Sequence, residues 1–180
     1  MNSPWWVKRV YMENIAPAEL KQWAELYCEI WKEPPWNEDF WKPEEVIKDF
    51  QTEMSNPDSA AFLLLVDGSV KGFTHGYSVN REELRAIANN DLLDTIFSED
   101  KRIYYIDELG VAKECRGLGF GKLLTARLQS EALGMGIRKV VLRTDTQAKA
   151  ARRVYEESDF IDLKVFDANY PNRTYWLCKA

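Results

Sequence analysis

The stretch IYYIDELGVAKECRGLGFGKLL, residues 103–124, combines a strand pattern, a glycine-rich loop and the start of a helix. Gly117, Gly119 and Gly121 alternate with bulky residues where the strand pattern gives way to the helix pattern. Glycine lets the backbone approach a ligand closely and adopt positive φ, and the first N–H groups of a helix have no partner inside it. Such a junction is typical of a site that binds an anion such as a pyrophosphate.

Two common nucleotide-binding motifs do not fit this loop. A P-loop places Ser or Thr directly after its Gly-Lys pair, whereas Gly121-Lys122 is followed by Leu123. A dinucleotide-binding turn has the spacing GxGxxG, and counting from Gly117 puts Lys122 where the third glycine belongs. The loop is therefore predicted to bind phosphate groups in another way.

The segments around this stretch alternate between strand and helix patterns. AFLLLV at 61–66 and VKGFTHGYSV at 70–79 are joined through Asp67-Gly68, which predicts a β-hairpin. Further strands are predicted at 6–12, 103–112, 139–144, 160–166 and near 175–178, and helices at 17–31, from 43, around 84–87 and 92–97, at 119–133 and at 147–157. Strands that alternate with helices indicate an α/β fold, and the hairpin makes its sheet mixed.

Over its whole length the chain resembles the GNAT N-acetyltransferase family, with the specific match confined to residues 103–160. RGLGFG at 116–121 is similar to the family's loop Arg/Gln-x-x-Gly-x-Gly/Ala. AARRVYEESDF at 150–160 resembles the family helix whose tyrosine, here Tyr155, stands beside the coenzyme sulfur. Two positions depart from the pattern: Ala148 stands where the family often has Asn, and Asp159 where it usually has Gly.

The resemblance implies acetyl-coenzyme A as cosubstrate and assigns a set of residues to it. The backbone of Leu109, Gly110 and Val111 is expected to pair with the pantetheine arm. The residues expected to hold the pyrophosphate are Arg116, Gly117, Leu118, Gly119, Phe120, Gly121 and Lys122. Residues 113–153 contain ten basic residues and three acidic ones, which suits a ligand with several phosphate charges.

The resemblance also implies the architecture. A single acetyltransferase domain is expected over 1–180, with the acetyl-coenzyme A motif at 103–160 and the helices of 18–54 on the substrate side. Its sheet is expected to be mixed and mostly antiparallel, with a central parallel strand pair flanked by helices.

Amide formation from a thioester requires a base for the amine and a proton for the departing thiolate. Asp107 and Glu108 directly precede the pantetheine segment, so one of them is the candidate base. Alternation along a strand predicts that these two side chains face opposite sides, and a bulge at Gly110 would favour Glu108. Tyr155 is the candidate general acid, and packing of its ring in the core is compatible with that role.

Other residue types limit the remaining functions. His75 is the single histidine and is expected to be half-buried without a catalytic role. Cys28, Cys115 and Cys178 have no paired spacing, so no metal site is predicted and the thiols are expected in the core. The net charge of −5 argues against nucleic-acid binding, and no apolar run is long enough for a membrane span, which predicts a cytoplasmic protein.

The predicted acceptor is a primary amine of a small molecule or a peptide, which attacks directly in a ternary complex. PPWNEDFW at 34–41, with Glu38 and Asp39, is a candidate lip for a cationic substrate, and hydrophobic anchoring of a loop is the simpler interpretation. The sequence does not specify which amine is the acceptor or whether other acyl groups are transferred, and a homodimer is possible. The alternative function is a protein that senses acyl-coenzyme A without turnover.

Overall fold

The computed structural model describes residues 4–179. Within this range the strands are β1 (Trp5–Val10), β2 (Ala60–Val66), β3 (Ser69–Val79), β4 (Ile103–Val111), β5 (Lys139–Asp145), β6 (Ile161–Phe166) and β7 (Arg173–Lys179). The α-helices are α1 (Pro17–Trp31), α2 (Pro43–Glu53), α3 (Arg81–Ala88), α4 (Asp91–Ile96), α5 (Phe120–Gly134) and α6 (Lys149–Glu156). A short 3₁₀ helix covers Lys113–Cys115.

All seven of these strands form one sheet in the order β1-β2-β3-β4-β5-β7-β6. β4 and β5 run parallel, and every other pair of neighbours is antiparallel. The structure thus confirms the predicted α/β fold with a mixed, mostly antiparallel sheet and a central parallel pair.

The parallel pair is short and opens into a gap. β4 and β5 are paired only where Tyr104–Ile106 face Val140–Leu142. Beyond Ile106, β4 continues to Val111 beside β3, and β5 continues to Asp145 beside β7. The edges that these two extensions turn toward each other are therefore unpaired within residues 4–179.

Helices cover both faces of the sheet. On one face, α5 and α6 pack Leu124, Leu128 and Tyr155 against inward-facing strand residues such as Ile106 and Val140. On the other face, α1 and α2 contribute a cluster with many aromatic side chains, and α3 and α4 a third cluster. One face thus buries a single apolar cluster and the other face buries two, as expected when helices cover both sides of a central sheet. The three cysteines are buried and free, as the sequence predicted.

The observed boundaries differ from the predicted ones where side chains form turns. α6 begins at Lys149 rather than at 147, because the Asp145 carboxylate accepts a hydrogen bond from Gln147 N at 2.7 Å. In the same turn Thr146 N donates to Asn172 O at 2.8 Å. Gln147 O accepts from Lys149 N at 2.8 Å in this turn and does not accept from Ala151 N, as a helix that included residue 147 would require.

The close approach of β3 to β4 generates a stability prediction. A Cβ atom on Gly76 would lie 2.5 Å from the Tyr105 carbonyl oxygen and 2.9 Å from Tyr104 Cε1. We expect Gly76→Ala to lower the free energy of unfolding by about 1–3 kcal/mol, the usual cost of overpacking. Urea unfolding monitored by tryptophan fluorescence measures the change.

Gly134→Ala is the matched control, because a Cβ atom at the end of α5 meets nothing within 4 Å. This variant should unfold at equal or higher urea concentration, since Ala is favoured over Gly in a helix by about 0.5–1 kcal/mol. Equal stability of the two variants would contradict the proposed steric cause.

Candidate active site

A bulge in β4 determines where the two candidate bases point. His75 faces Glu108 and Gly76 faces Ile106 across the β3–β4 ladder, so Asp107 is an extra residue without a partner. Ile106 and Leu109 both pack against the α5 face, although they are three positions apart. The bulge reverses the alternation between them, as an inserted residue must.

The prediction that Asp107 and Glu108 face opposite sides of the sheet is therefore wrong. Both carboxylates line one cavity between the sheet and the helices α1 and α2. The bulge considered at Gly110 is located at Asp107 instead. Gly110 is still constrained, because a Cβ atom there would lie 2.6 Å from Phe73 Cζ.

The cavity has a volume of about 420 Å³ and a mixed aromatic and charged lining. Its aromatic residues are Trp23, Tyr27, Trp31, Phe40, Trp41 and Tyr170, beside His75 and Val46. Its charged residues are Glu38, Asp49, Glu53, Asp107, Glu108, Arg143 and Arg173. The size is in the range of a small-molecule site, and the segment 18–54, with α1, α2 and the loop between them, contributes most of the lining residues.

Tyrosine hydroxyls and a histidine hold the buried carboxylates. Tyr27 Oη donates to Glu108 Oε1 at 3.1 Å, and Tyr77 Oη donates to Asp107 Oδ2 at 3.0 Å. His75 Nε2 and Glu53 Oε2 are 2.8 Å apart, which links β3 to the end of α2. These contacts fix the carboxylates without a Lys or Arg partner.

The environment shifts the pKa values of these acids in different directions. Burial, followed by the Glu53 charge, raises the pKa of Asp107 from 3.8 to about 6. Burial and the Asp107 charge raise the pKa of Glu108 well above its ordinary range. Burial also acts to raise the pKa of Glu53, but the interactions with His75, chiefly the hydrogen bond, outweigh this effect, so the pKa is lowered. Such separated values are typical of functional carboxylates.

His75 differs from its expected role. Its side chain is buried, with 1% of the residue exposed, and it contacts Glu53 from a distant part of the chain. Glu53, His75 and Asp107 each bring one ligand-type atom within 4.8 Å of the others. The sequence argument against a metal counted only His and Cys, so it does not cover this cluster, and the absence of a metal stays a prediction.

The glycine-rich loop has the conformation and the free donors that phosphate binding needs. Gly117 and Gly119 have φ values of 75° and 83°, and a Cβ atom on either would meet nothing within 4 Å. The first helical hydrogen bond of α5 runs from Leu123 N to Gly119 O. Within the described residues, no backbone N–H from Gly117 to Lys122 donates to another backbone group. These amides are available to an anion.

The other residues of the loop divide into exposed and buried positions. The side chains of Leu118 and Lys122 are exposed, whereas Phe120 is buried in the core and offers a ligand only its backbone. Gly121 also serves packing, because a Cβ atom there would lie 3.2 Å from Val154 Cγ2 on α6. Leu109 and Val111 lie half-buried along the unpaired edge of β4.

Arg116 is engaged by the protein itself. Its Nε donates to Val111 O at 3.0 Å, and its Nη1 donates to Glu33 Oε2 at 2.5 Å. The side chain therefore braces the end of β4 against the region after α1. A contact between this guanidinium and a ligand remains a prediction.

Tyr155 projects from α6 into the core of the α5 face. Its ring lies near Phe160 and Trp176, with centroid distances of 5.9 Å and 6.2 Å. Burial, followed by the Glu108 charge, raises the pKa of its hydroxyl, so the proton stays on the oxygen at neutral pH. Glu108 lines the cavity on the face of the sheet covered by α1 and α2, whereas Tyr155 packs on the α5 face.

The two departures from the family pattern keep a regular local structure. Asp159 adopts φ 64°, the left-handed conformation that glycine usually provides after a helix. Phe160 N donates to Tyr155 O at 3.0 Å, which closes the end of α6. Ala148 is buried at the start of α6 and has no side-chain group to cap it.

Only one of the two acids of the predicted lip at 34–41 lines the cavity. Glu38 lines the cavity, but it accepts hydrogen bonds from Arg173 Nη2 at 2.5 Å and Trp41 Nε1 at 2.8 Å. Asp39 is exposed and does not line the cavity. The acidic side chains of the cavity that have no Lys or Arg partner among residues 4–179 lie instead on α2 and β4.

Several residues of the site escaped the sequence reasoning. Tyr27, Glu53, Tyr77 and Arg143 belong to different elements, and no spacing links them to Asp107. Arg143 lines the cavity on β5 and donates to Asp167 at 2.6 Å. One usable signal was the position of Glu53 on α2, seven residues after the apolar Val46 and hence on nearly the same helix face.

The chain matches the model of the acetyltransferase (GNAT) family over residues 20–160. The matched region includes α1, α2, the bulged strand β4, the glycine-rich loop and α6. The chain therefore belongs to the GNAT acetyltransferase family.

Solved structures with the same fold support this placement. PH1933 from Pyrococcus horikoshii OT3 has TM-score 0.70 and 13% identity, covering 97% of this chain and 98% of that chain. PaiA N-acetyltransferase from Thermoplasma acidophilum, in complex with coenzyme A, has TM-score 0.69 and 14% identity, covering 98% and 99%. Arabidopsis thaliana NAA60, in complex with a bisubstrate analogue, has TM-score 0.67 and 18% identity, covering 97% and 99%.

At these identities the similarity concerns the fold. A sequence comparison with curated proteins finds no match. Among residues 4–179, no helix has the length and apolar character that crossing a membrane requires.

The raised pKa of Asp107 predicts a pH-dependent stability difference. The folded protein keeps a proton that the unfolded chain releases between pH 3.8 and about 6, so wild-type stability falls as the pH rises through this window. Asp107→Asn removes the charge and can still accept from Tyr77. We expect the variant to be more stable than wild type by about 1–3 kcal/mol at neutral pH, and equally stable below the window.

Urea unfolding at pH values on both sides of the window measures this difference. Asp39→Asn is the control, because Asp39 is exposed and outside the cavity. An Asp107→Asn effect of the same size at every pH would show that the cause is not ionisation of Asp107.

Proposed function

We propose that the protein transfers the acetyl group of acetyl-coenzyme A to a primary amine, by direct attack in a ternary complex. The observation that carries this proposal is the gap between β4 and β5. Unpaired amides of Gly117–Lys122 lie at one end of β4, and the carboxylates of Asp107 and Glu108 line a cavity beside it. The same gap therefore borders backbone N–H groups that can bind an anion and carboxylates that can bind a cation.

The cosubstrate would use groups that the protein leaves without partners. The backbone amides after Arg116 suit the pyrophosphate, and the open Cβ positions of Gly117 and Gly119 leave room for it. The unpaired edge of β4 at Leu109–Val111 suits the amide groups of the pantetheine arm, which would add to the sheet as a strand does. Coenzyme A in the complex of the PaiA neighbour supports the same ligand.

We propose that the chain acts as one acetyltransferase unit with α1 and α2 on the acceptor side. The acceptor amine enters the cavity as an ammonium ion, since an alkylamine has a pKa near ~10. It must lose a proton before it can attack. Asp107 is the better base of the two candidates, because its pKa of about 6 leaves it mostly ionised at neutral pH, whereas burial and the Asp107 charge raise the pKa of Glu108 well above its ordinary range.

The ammonium ion first gives a proton to Asp107, which passes it to water. The amine nitrogen then forms a bond to the acetyl carbon, the bond between that carbon and sulfur breaks, and the second proton of the nitrogen goes to Asp107. The departing thiolate takes a proton from the hydroxyl of Tyr155, which regains one from water. Tyr155 suits this role because its hydroxyl stays protonated and its ring is fixed by Phe160 and Trp176.

Binding of the cosubstrate tests the loop assignment. Acetyl-coenzyme A should raise the melting temperature of the wild-type protein, because a ligand that binds only the folded state stabilises it. Gly119→Glu places a side chain and a negative charge at the predicted pyrophosphate site, so the melting temperature of this variant should not respond. Differential scanning fluorimetry with and without acetyl-coenzyme A measures both.

Gly136→Glu is a matched control for this experiment. Gly136 also has positive φ, at 75°, and open space around its Cβ position, but it lies beyond the far end of α5. The control therefore carries the same backbone strain and charge away from the loop and should keep the response to acetyl-coenzyme A. A full response in Gly119→Glu would overturn the pyrophosphate assignment.

Tyr155→Phe tests the proton donor. The variant keeps the packed ring and removes the hydroxyl, so stability and acetyl-coenzyme A binding should be nearly unchanged while kcat falls. We expect a loss of about 10²-fold, the low end for general acid catalysis, because a thiol of pKa near ~8.5 leaves readily. Release of free thiol with a primary amine acceptor measures the rate.

The loss in Tyr155→Phe should shrink at high pH, where a thiolate needs no proton. A structural role alone would not produce this pH dependence. If Tyr155→Phe has the same kcat as wild type across the pH range, with chemistry rate-limiting, Tyr155 is a packing residue and not the proton donor.

A further inference from the structure

The acceptor cavity carries more negative charge than the protein neutralises. Its two arginines are both engaged, Arg173 with Glu38 at 2.5 Å and Arg143 with Asp167 at 2.6 Å. Four further acids of the cavity have no Lys or Arg partner among residues 4–179: Asp49, Glu53, Asp107 and Glu108. Even with Glu108 protonated, a single ammonium group would leave negative charge uncompensated.

The uncompensated acids form two groups at different depths. Asp107 and Glu108, the proximal carboxylates, lie on β4 beside the gap. Asp49 and Glu53, the distal carboxylates, are four residues apart on α2 and therefore one turn apart, about 6 Å along the helix axis. Because Glu53 is the one next to Asp107, the acids extend from the gap along α2.

One buried polar atom beside the distal group has no hydrogen-bond partner within residues 4–179. His75 lies beside Glu53 and lines the cavity, and its Nδ1 atom is buried without a hydrogen-bond partner among the described residues. In the neutral tautomer whose Nε2 donates to Glu53, Nδ1 carries a lone pair that accepts. A protonated amine supplies both the positive charge that this region lacks and a donor for this atom.

Part of the cavity wall is aromatic. Tyr27 and Trp31 are stacked at 4.3 Å, and Trp41 stands against Tyr27 at 5.7 Å. Two polar groups of this wall are already engaged, because Tyr27 Oη donates to Glu108 and Trp41 Nε1 to Glu38. The wall therefore favours a chain of methylene groups over a hydroxylated sugar ring, whose hydroxyls would lose hydrogen bonds to water.

We propose that the acceptor is an alkyl diamine. One amine loses its proton to the proximal carboxylates and is acetylated, while the second stays protonated and binds the distal carboxylates. This inference rests on the proposed function and specifies the substrate of the same site.

Turnover of matched acceptors tests the inference. Linear diamines from propane to octane length are compared with alkyl monoamines of equal length, by release of free thiol from acetyl-coenzyme A at neutral pH. EDTA is present throughout, so that a metal ion at Glu53, His75 and Asp107 cannot contribute. We expect kcat/KM for the best diamine to exceed that for the monoamine of equal length by about tenfold or more, the value of one charged hydrogen bond.

Two variants that each remove one negative charge from α2 distinguish direct binding by the distal carboxylates from a general electrostatic effect of the helix. Asp49→Asn should lower kcat/KM for the diamine by about tenfold, mainly through KM, and should leave the monoamine unchanged. Asp49 is exposed, so the variant is expected to fold. Glu44→Gln is the control, because Glu44 is exposed on the opposite side of α2 and does not line the cavity.

The outcomes distinguish this inference from the proposed function. Equal kcat/KM for diamines and monoamines, an equal effect of Asp49→Asn on both, or a glucosamine turned over better than every diamine would overturn the diamine inference alone. No thiol release with any amine, while acetyl-coenzyme A still raises the melting temperature, would overturn the proposed function as well. A diamine preference that Asp49→Asn removes and Glu44→Gln keeps would support both.

Discussion

The end of pairing between β4 and β5 is the constraint on which the rest of the site depends. Up to Ile106 the two parallel strands share their hydrogen bonds, and beyond it each keeps one paired edge, β4 with β3 and β5 with β7. Each extension therefore remains part of the sheet while its other edge is exposed. An exposed strand edge offers a row of backbone donors and acceptors, which is what an extended amide-containing ligand needs.

The bulge at Asp107 adds the second requirement, two carboxylates on one face. In a regular strand one of the two acids would point toward α5 and into the apolar core, where a charge without a partner is costly. The extra residue turns both toward the cavity, where Tyr27 and Tyr77 donate to them. The free-energy cost of burying the two carboxylates raises their pKa values. The geometry that lowers the stability of the folded protein thus also gives Asp107 a pKa of about 6, which suits a general base near neutral pH.

The sheet also keeps opposite charges apart. Free backbone amides lie at the start of α5, and acidic side chains line the cavity under α1 and α2. An anionic cosubstrate and a cationic acceptor would therefore reach the gap from different faces, with Tyr155 packed on the α5 face and Glu108 in the cavity on the other face. Arg116 connects the two regions, because it contacts both the end of β4 and Glu33 after α1.

The sequence by itself determined the features that depend on neighbouring residues. The hairpin at Asp67-Gly68, the loop at 116–121 and the spacing to Tyr155 were all readable, because turn chemistry, glycine conformation and helix periodicity are local properties. The tertiary structure alone decided the acidic cavity. Glu53 meets His75 from 22 positions away, and alternation predicted the wrong face for one of the two acids on β4. Contacts across elements, and a bulge set by the opposite strand, come from packing of the whole chain and leave no periodic signal in it.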